Sequence, residues 1–240
     1  MANIIDQYYS TGANIRDAVK TLRANIRFSG IDKPLQTIVM ASSTSGDGKS
    51  TLSLFLGIAM AEAGHKTLVV ESDLRRPMLS RMLKVLITQG IVNYLAGNCT
   101  LSDAVIQTQV NDLFVMGVET KVANPVELIG SKRFTAALHE MKQNYDVIIF
   151  DTPPINTFIE AALIAAQTDG TIIVLKSGQT DHREVKASLM QLEKANAHIV
   201  GVVLNNVAKT AGADYYYYDH EGKRKGKKSD PKEIAASGGM

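Results

Sequence analysis

The 240-residue chain has a single cysteine, Cys99, and no tryptophan. One thiol excludes an intrachain disulfide framework and cannot by itself supply a zinc site, which favours a reducing cytosol. No run approaches the roughly 18 consecutive apolar residues of a membrane helix, and the polar opening Met1–Tyr9 has no signal-peptide core. Any membrane association is therefore expected to come from another chain. The formal charge is only +2, which gives no argument for nucleic acid as a partner; the concentrated positive charge is local, in Lys223, Arg224, Lys225, Lys227 and Lys228. Hydrophobic residues make up 45% of the chain, enough for one large domain core.

Ile15, Val19, Leu22 and Ile26 recur at helical spacing, so an amphipathic helix is expected over 13–28, within an N-terminal segment 1–30. From 31 to 207 apolar strands alternate with helices. Strands are expected at 66–72, 113–117, 145–151, 170–176 and 198–205, and helices near 49–63, 131–144, 158–167 and 181–196, with short helices through 78–107. This alternation predicts an α/β fold, a mostly parallel sheet covered by helices on both faces, with its ligand site at the carboxyl ends of the strands. Residues 208–240 have little aliphatic material, so they are expected to form a mobile tail.

The apolar run 37–41 gives way to Ser42-Ser43-Thr44-Ser45-Gly46-Asp47-Gly48-Lys49-Ser50-Thr51, followed by an apolar stretch at helical spacing. A strand, a glycine loop and a helix N-terminus form a phosphate cradle: backbone N–H groups of Ser45–Thr51 face a polyphosphate, Lys49 reaches its outer phosphates, and the Ser50 hydroxyl ligates magnesium. ATP and Mg²⁺ are the ligands this predicts. The first glycine position of the GxxxxGK[ST] pattern holds Ser43. A second buried-type strand, 147–151, ends in Asp151, placed to anchor magnesium through its water shell. A third, 68–70, runs into Glu71, Asp73 and Arg75. If that strand continues, Glu71 and Asp73 leave on one face; one acid would handle a hydroxyl proton, the other magnesium waters, and Arg75 would stabilise phosphate or tether a neighbour.

These three stretches resemble the Walker A, Walker A′ and Walker B motifs of the bacterial tyrosine kinases. Asn124–Ile129 and Gly201–Asn205 resemble that family too, over roughly residues 13–218. The resemblance implies a P-loop NTPase fold of the MinD/ParA-related type and an ATP-dependent protein tyrosine autokinase of capsule and exopolysaccharide synthesis. It puts Lys49 and Ser50 on phosphate and magnesium, and Asp73 and Asp151 at the metal and in catalysis. Glu71 stands where the family has aspartate. The family's Glu-x-x-Arg-x-x-Arg oligomerisation motif corresponds to Asp17, Lys20 and Arg23, implying a homo-oligomer such as a ring. Its self-phosphorylated tyrosine cluster corresponds to Tyr215, Tyr216, Tyr217 and Tyr218. The chain is then expected in the cytoplasm, peripheral to the membrane through a transmembrane adaptor that activates it, with sugar-metabolism and polysaccharide-export proteins downstream.

About ten extended residues beyond Asn205 span roughly 33 Å, which lets Tyr215 reach its own site or a neighbour's. Asn205 itself is the expected contact to the nucleotide base. The basic run beyond the tyrosines would retain phosphotyrosines, touch anionic lipid or stay solvated. Two other functions compete: a ParA/MinD-like ATPase switch and a non-catalytic nucleotide-dependent scaffold. Those switches resemble one another in an extra lysine early in the loop, where this chain has Thr44.

Overall fold

The computed structural model describes residues 2–30 and 33–208. The four tyrosines at 215–218 and the basic run at 223–228 lie outside the described residues. In chain order the elements are α1 (Ile4–Ser10), α2 (Ala13–Ser29), β1 (Thr37–Ser42), α3 (Lys49–Ala61), β2 (Thr67–Glu71), α4 (Leu79–Leu83), α5 (Ile91–Ala96) and α6 (Leu101–Ala104). They continue with β3 (Ile106–Gln107), β4 (Leu113–Met116), α7 (Pro125–Ile129), α8 (Lys132–Asn144), β5 (Val147–Asp151), α9 (Glu160–Ala165), β6 (Gly170–Lys176), α10 (His182–Lys194) and β7 (Ile199–Asn205).

The seven strands form one sheet in the order β3-β4-β2-β5-β1-β6-β7. Every pairing is parallel except that of β3 with β4. Strands β1, β2 and β5 are buried along their whole length. Their alternating side chains feed two core layers, which is why they read as unbroken apolar runs. Ile38, Met40, Val69 and Ile149 pack with Leu54 and Ile58 of α3 on one face. Val39, Leu68, Ile148 and Phe150 pack with Phe134 of α8, Ile164 of α9 and Leu192 of α10 on the other. Register sets Glu71 opposite Asp151 and Asp151 opposite Met40, so the carboxyl ends of β1, β2 and β5 come level.

The N-terminal segment holds a second helix besides the one expected over 13–28. Residues 4–10 form this helix, started by an Asn3 capping box in which Asn3 Oδ1 accepts Ile5 N–H and Asp6 N–H, and Asp6 Oδ2 accepts Asn3 N–H. Ile4, Ile5 and Tyr8 of α1 and Val19 and Ile26 of α2 are buried in the same layer as α3. Tyr8 sits edge-on to Phe55, their centroids 5.1 Å apart. Ile15, expected on the buried stripe, is 51% exposed. Arg23 donates from Nη1 to the Ala59 carbonyl at 2.6 Å, which ties α2 to α3.

The start of β1 is fastened by one side chain from the turn before β6. Asp169 Oδ2 accepts Thr37 N–H at 2.9 Å and the Thr37 hydroxyl at 2.7 Å, and Lys142 Nζ lies 3.0 Å away. Burial raises this carboxyl, but the hydrogen bonds and Lys142 outweigh it and hold it below the usual range. Asp169→Ala strands the Thr37 N–H and is expected to cost about 1–3 kcal/mol, read as a lower urea midpoint at neutral pH. The sign follows from the depressed native value: the contribution is present above the unfolded carboxylate range near ~4 and is lost as pH falls through the native one. The wild-type advantage over the variant should therefore shrink on acidification.

Candidate active site

The loop between β1 and α3 takes its shape from two glycines. Gly46 and Gly48 have φ of +89° and +92°, a region side chains avoid, whereas Ser43 is not among the positive-φ residues. The absent first glycine is thus not needed for backbone conformation. Asp47 ties the loop across: Oδ2 accepts from the Thr44 N–H and hydroxyl at 3.3 and 3.2 Å, and Oδ1 from the Thr180 hydroxyl at 3.2 Å.

Lys49 is only 7% exposed, and its Nζ donates to Ser42 Oγ at 2.8 Å. Burial lowers the Lys49 ammonium from its ordinary value, against the raising pull of Asp151, Asp73 and Asp47. Asp151 at the end of β5 is 1% exposed. Desolvation pushes its carboxyl up to about 6, although hydrogen bonds from Ser50 and Ser53 and the charge of Lys49 act downward. The Ser53 hydroxyl lies 3.2 Å from Asp151 Oδ1 and 2.9 Å from the Lys49 carbonyl. Asp73 follows β2 and shapes its own turn, Oδ1 accepting Arg75 N–H at 3.2 Å and Arg76 N–H at 2.9 Å.

Loop, α3 start and Asp73 border one cavity of about 410 Å³, whose lining includes Ser45, Gly46, Gly48, Lys49, Ser50, Thr51 and Asp73. The Ser50 hydroxyl, Asp151 and Asp73 are hard oxygen donors of the kind magnesium takes. Among the described residues no three His, Cys, Asp or Glu side chains gather to hold a metal by themselves. A divalent ion at these donors would therefore complete its shell with phosphate and water, which is magnesium's habit.

Comparison with known proteins follows the same outline. A family profile described as an AAA domain matches residues 35–202. The tyrosine-protein kinase CpsD of Streptococcus agalactiae is 33% identical over 222 residues, covering 92% of this chain and 96% of that protein. The chain belongs to the bacterial tyrosine-protein kinases. The crystal structure of the chimerical protein CapA2B2 superposes with a TM-score of 0.77 at 35% identity, covering 80% of this chain and 84% of that one. The septum site-determining protein MinD of Pyrococcus horikoshii, complexed with Mg-ADP, gives 0.61 at 26% identity, covering 70% and 69%. The kinase thus has a P-loop NTPase fold shared with the MinD ATPases.

Two side chains of this kinase, Glu71 and Asn205, are placed differently from the sequence expectation, and Arg75 takes one of its two expected roles. Glu71 and Asp73 do not share a face, because β2 ends at Glu71. Glu71 instead turns inward, 1% exposed, and its Oε2 accepts the N–H groups of Met78 at 2.9 Å and Leu79 at 2.6 Å where α4 begins. Burial first, then the charge of Asp151, holds its carboxyl well above the usual range despite those two amides. Arg75 takes the tether role rather than the phosphate role: Nε and Nη2 both lie 2.8 Å from Glu160 Oε1. Arg76, unremarked in the sequence, lines the cavity instead. Asn205 donates its amide to the Asp47 carbonyl at 2.8 Å and accepts Asn206 N–H at 2.9 Å, so in this structure it braces the loop rather than standing free for a base.

Sequence reading also missed Ser42, Ser53 and Thr180 as partners of Lys49, Asp151 and Asp47. Only Ser53 carried a local signal, one helical turn after Lys49 on α3. A Cβ added at Gly48 would overlap the Asn205 amide nitrogen. Gly48→Ala therefore combines that clash with left-handed strain of about 1–2 kcal/mol. Nucleotide affinity by titration calorimetry is expected to fall at least tenfold, and Gly48→Ala with Asn205→Ala should recover only part of it.

Proposed function

We propose that this kinase transfers the γ-phosphoryl group of ATP to Tyr215, Tyr216, Tyr217 and Tyr218 of its own C-terminal segment, as part of the control of capsule and exopolysaccharide synthesis. The carrying observation is the convergence of Lys49, Asp73 and the glycine loop on one cavity, with Asp151 buried behind it. Backbone N–H groups of Ser45–Thr51 and the Lys49 ammonium hold the β- and γ-phosphates. Ser50, Asp73 and Asp151 would hold Mg²⁺, which would supply positive charge to offset that of the phosphates. Asp73 accepts the phenolic proton as the tyrosine oxygen bonds to phosphorus, and the bond from phosphorus to the ADP oxygen breaks. Positioning and charge stabilisation carry such a transfer.

Asp17, Lys20 and Arg23 on α2 are the proposed assembly residues. Arg23 uses Nη1 on the Ala59 carbonyl, and its remaining N–H groups are the ones proposed to serve a neighbour. Among the described residues no helix is long and apolar enough to cross a membrane. The proposed setting of this kinase is the cytoplasm, with a transmembrane adaptor bringing it to the membrane. Sugar-metabolism and polysaccharide-export proteins are the proposed downstream partners. A MinD-like dimer switch is disfavoured at Thr44, whose backbone and hydroxyl are spent on Asp47 and which offers no ammonium.

Wild-type protein incubated with MgATP should gain phosphotyrosine within 215–218 by mass spectrometry, and Lys49→Met should lower the rate by at least 100-fold. Undiminished phosphorylation in Lys49→Met would sink the assignment.

A further inference from the structure

Two kinds of side chain line the cavity: polar ones from the loop and the start of α3, with Arg76, Thr152 and Thr157, and an apolar group of Met78 and Met82 at α4 with Pro154 and Phe158 after β5. Met78 is 41% exposed within this lining. Asp73 borders the same cavity. Phe158 is held from behind: the Arg75 guanidinium lies 4.5 Å from its ring centroid, and Arg75 is itself fixed by the buried carboxylate of Glu160 at 2.8 Å.

The geometry points to Met78, Met82, Pro154 and Phe158 as the wall that seats the acceptor's tyrosyl ring, and so as the residues that make this kinase specific for tyrosine over serine. The inference rests on the kinase reading above and deepens it. A hydroxyl that gives its proton to Asp73 must come within about 3 Å of that carboxylate. If the hydroxyl is phenolic, the ring behind it lies among these apolar side chains; a serine hydroxyl has one carbon behind it and leaves them bare. The side chains suit a ring chemically. Thioethers adapt their shape and favour aromatic edges, and Phe158 offers a mounted ring for an offset or edge contact. Glu160 and Arg75 act through Phe158 as positioning residues.

The test separates donor from acceptor. The donor is the full chain carrying Tyr215→Phe, Tyr216→Phe, Tyr217→Phe and Tyr218→Phe; the acceptor is the full chain carrying Lys49→Met, which keeps its tyrosines. Initial rates against acceptor concentration give kcat/KM, and titration with a fluorescent ATP analogue gives the donor's nucleotide Kd. Met78→Ala and Phe158→Ala in the donor are expected to lower kcat/KM for the acceptor at least tenfold with nucleotide Kd unchanged within twofold. Phe158→Leu should recover part of the loss. Met78 is exposed, so its substitution keeps the test usable if Phe158→Ala fails to fold.

A tenfold weaker nucleotide Kd with unchanged acceptor kinetics overturns the inference, since the wall would then seat the base. Unchanged values of both overturn it equally. A donor with an intact wall that binds the analogue but phosphorylates no acceptor tyrosine removes the kinase reading itself, an outcome distinct from the other two.

Discussion

A lysine and an aspartate, both buried at the crest of a parallel sheet, set the terms for everything around them. Taking an ammonium and a carboxylate out of water costs several kcal/mol each, and a partner offsets that only when geometry and further hydrogen bonds cooperate. Here the cooperation is partial. Lys49 has Ser42 and the field of three carboxylates, Asp151 has Ser50, Ser53 and Lys49, and still the ammonium is lowered and the carboxyl raised from their ordinary values. Each group is short of opposite charge, in the sense that burial exceeds what the protein returns. A polyphosphate with its magnesium supplies charge of both signs at this place. The site is therefore incomplete electrostatically before it is incomplete sterically, which is the preorganised condition that charge stabilisation of a transferring phosphoryl group requires.

That condition depends on strand register. Because β5 lies between β1 and β2 and Asp151 pairs with Met40 on one side and Glu71 on the other, the three strand ends present loop, acid and turn at one level. Much of this was legible in the sequence. Strands covered on both faces read as apolar runs, and β6 spans the residues 170–176 that its run marks out. Helices α3, α8 and α10 were legible from apolar spacing. What was not legible depends on residues far away in the chain. Helix α1 is seven residues long, under two turns, too short for periodicity to show, and β3 is a two-residue antiparallel edge. Ile15 keeps the helical spacing of its neighbours but falls outside the stripe that α3 covers.

The same reason explains the site residues. The loop and Asp151 could be placed because each is fixed by its own strand. Arg75 could not, since Glu160 lies 85 positions on and only the folded chain shows that a buried carboxylate claims it. Asn205 likewise looked available for a ligand because the carbonyl it braces, that of Asp47, is 158 positions back. Sequence patterns locate groups that chemistry needs; they do not show which of those groups the fold has already spent.

Glu71 shows where that distinction leads. As an acid two residues before Asp73, standing where the family has aspartate, it reads as one half of a catalytic pair. In the fold the acid reaches sideways to the Met78 and Leu79 amides, giving the first N–H groups of a five-residue helix an acceptor that no side chain of that helix provides. A short helix has little propensity of its own to stand on, so α4 owes its position to this carboxylate and to Leu79 and Leu83 in the core. Met78, just before that helix, and Met82 within it belong to the cavity's apolar lining. An acid that reads as catalytic therefore acts on the helix that carries part of the cavity's apolar lining, and it does so from the end of the strand that leads into Asp73.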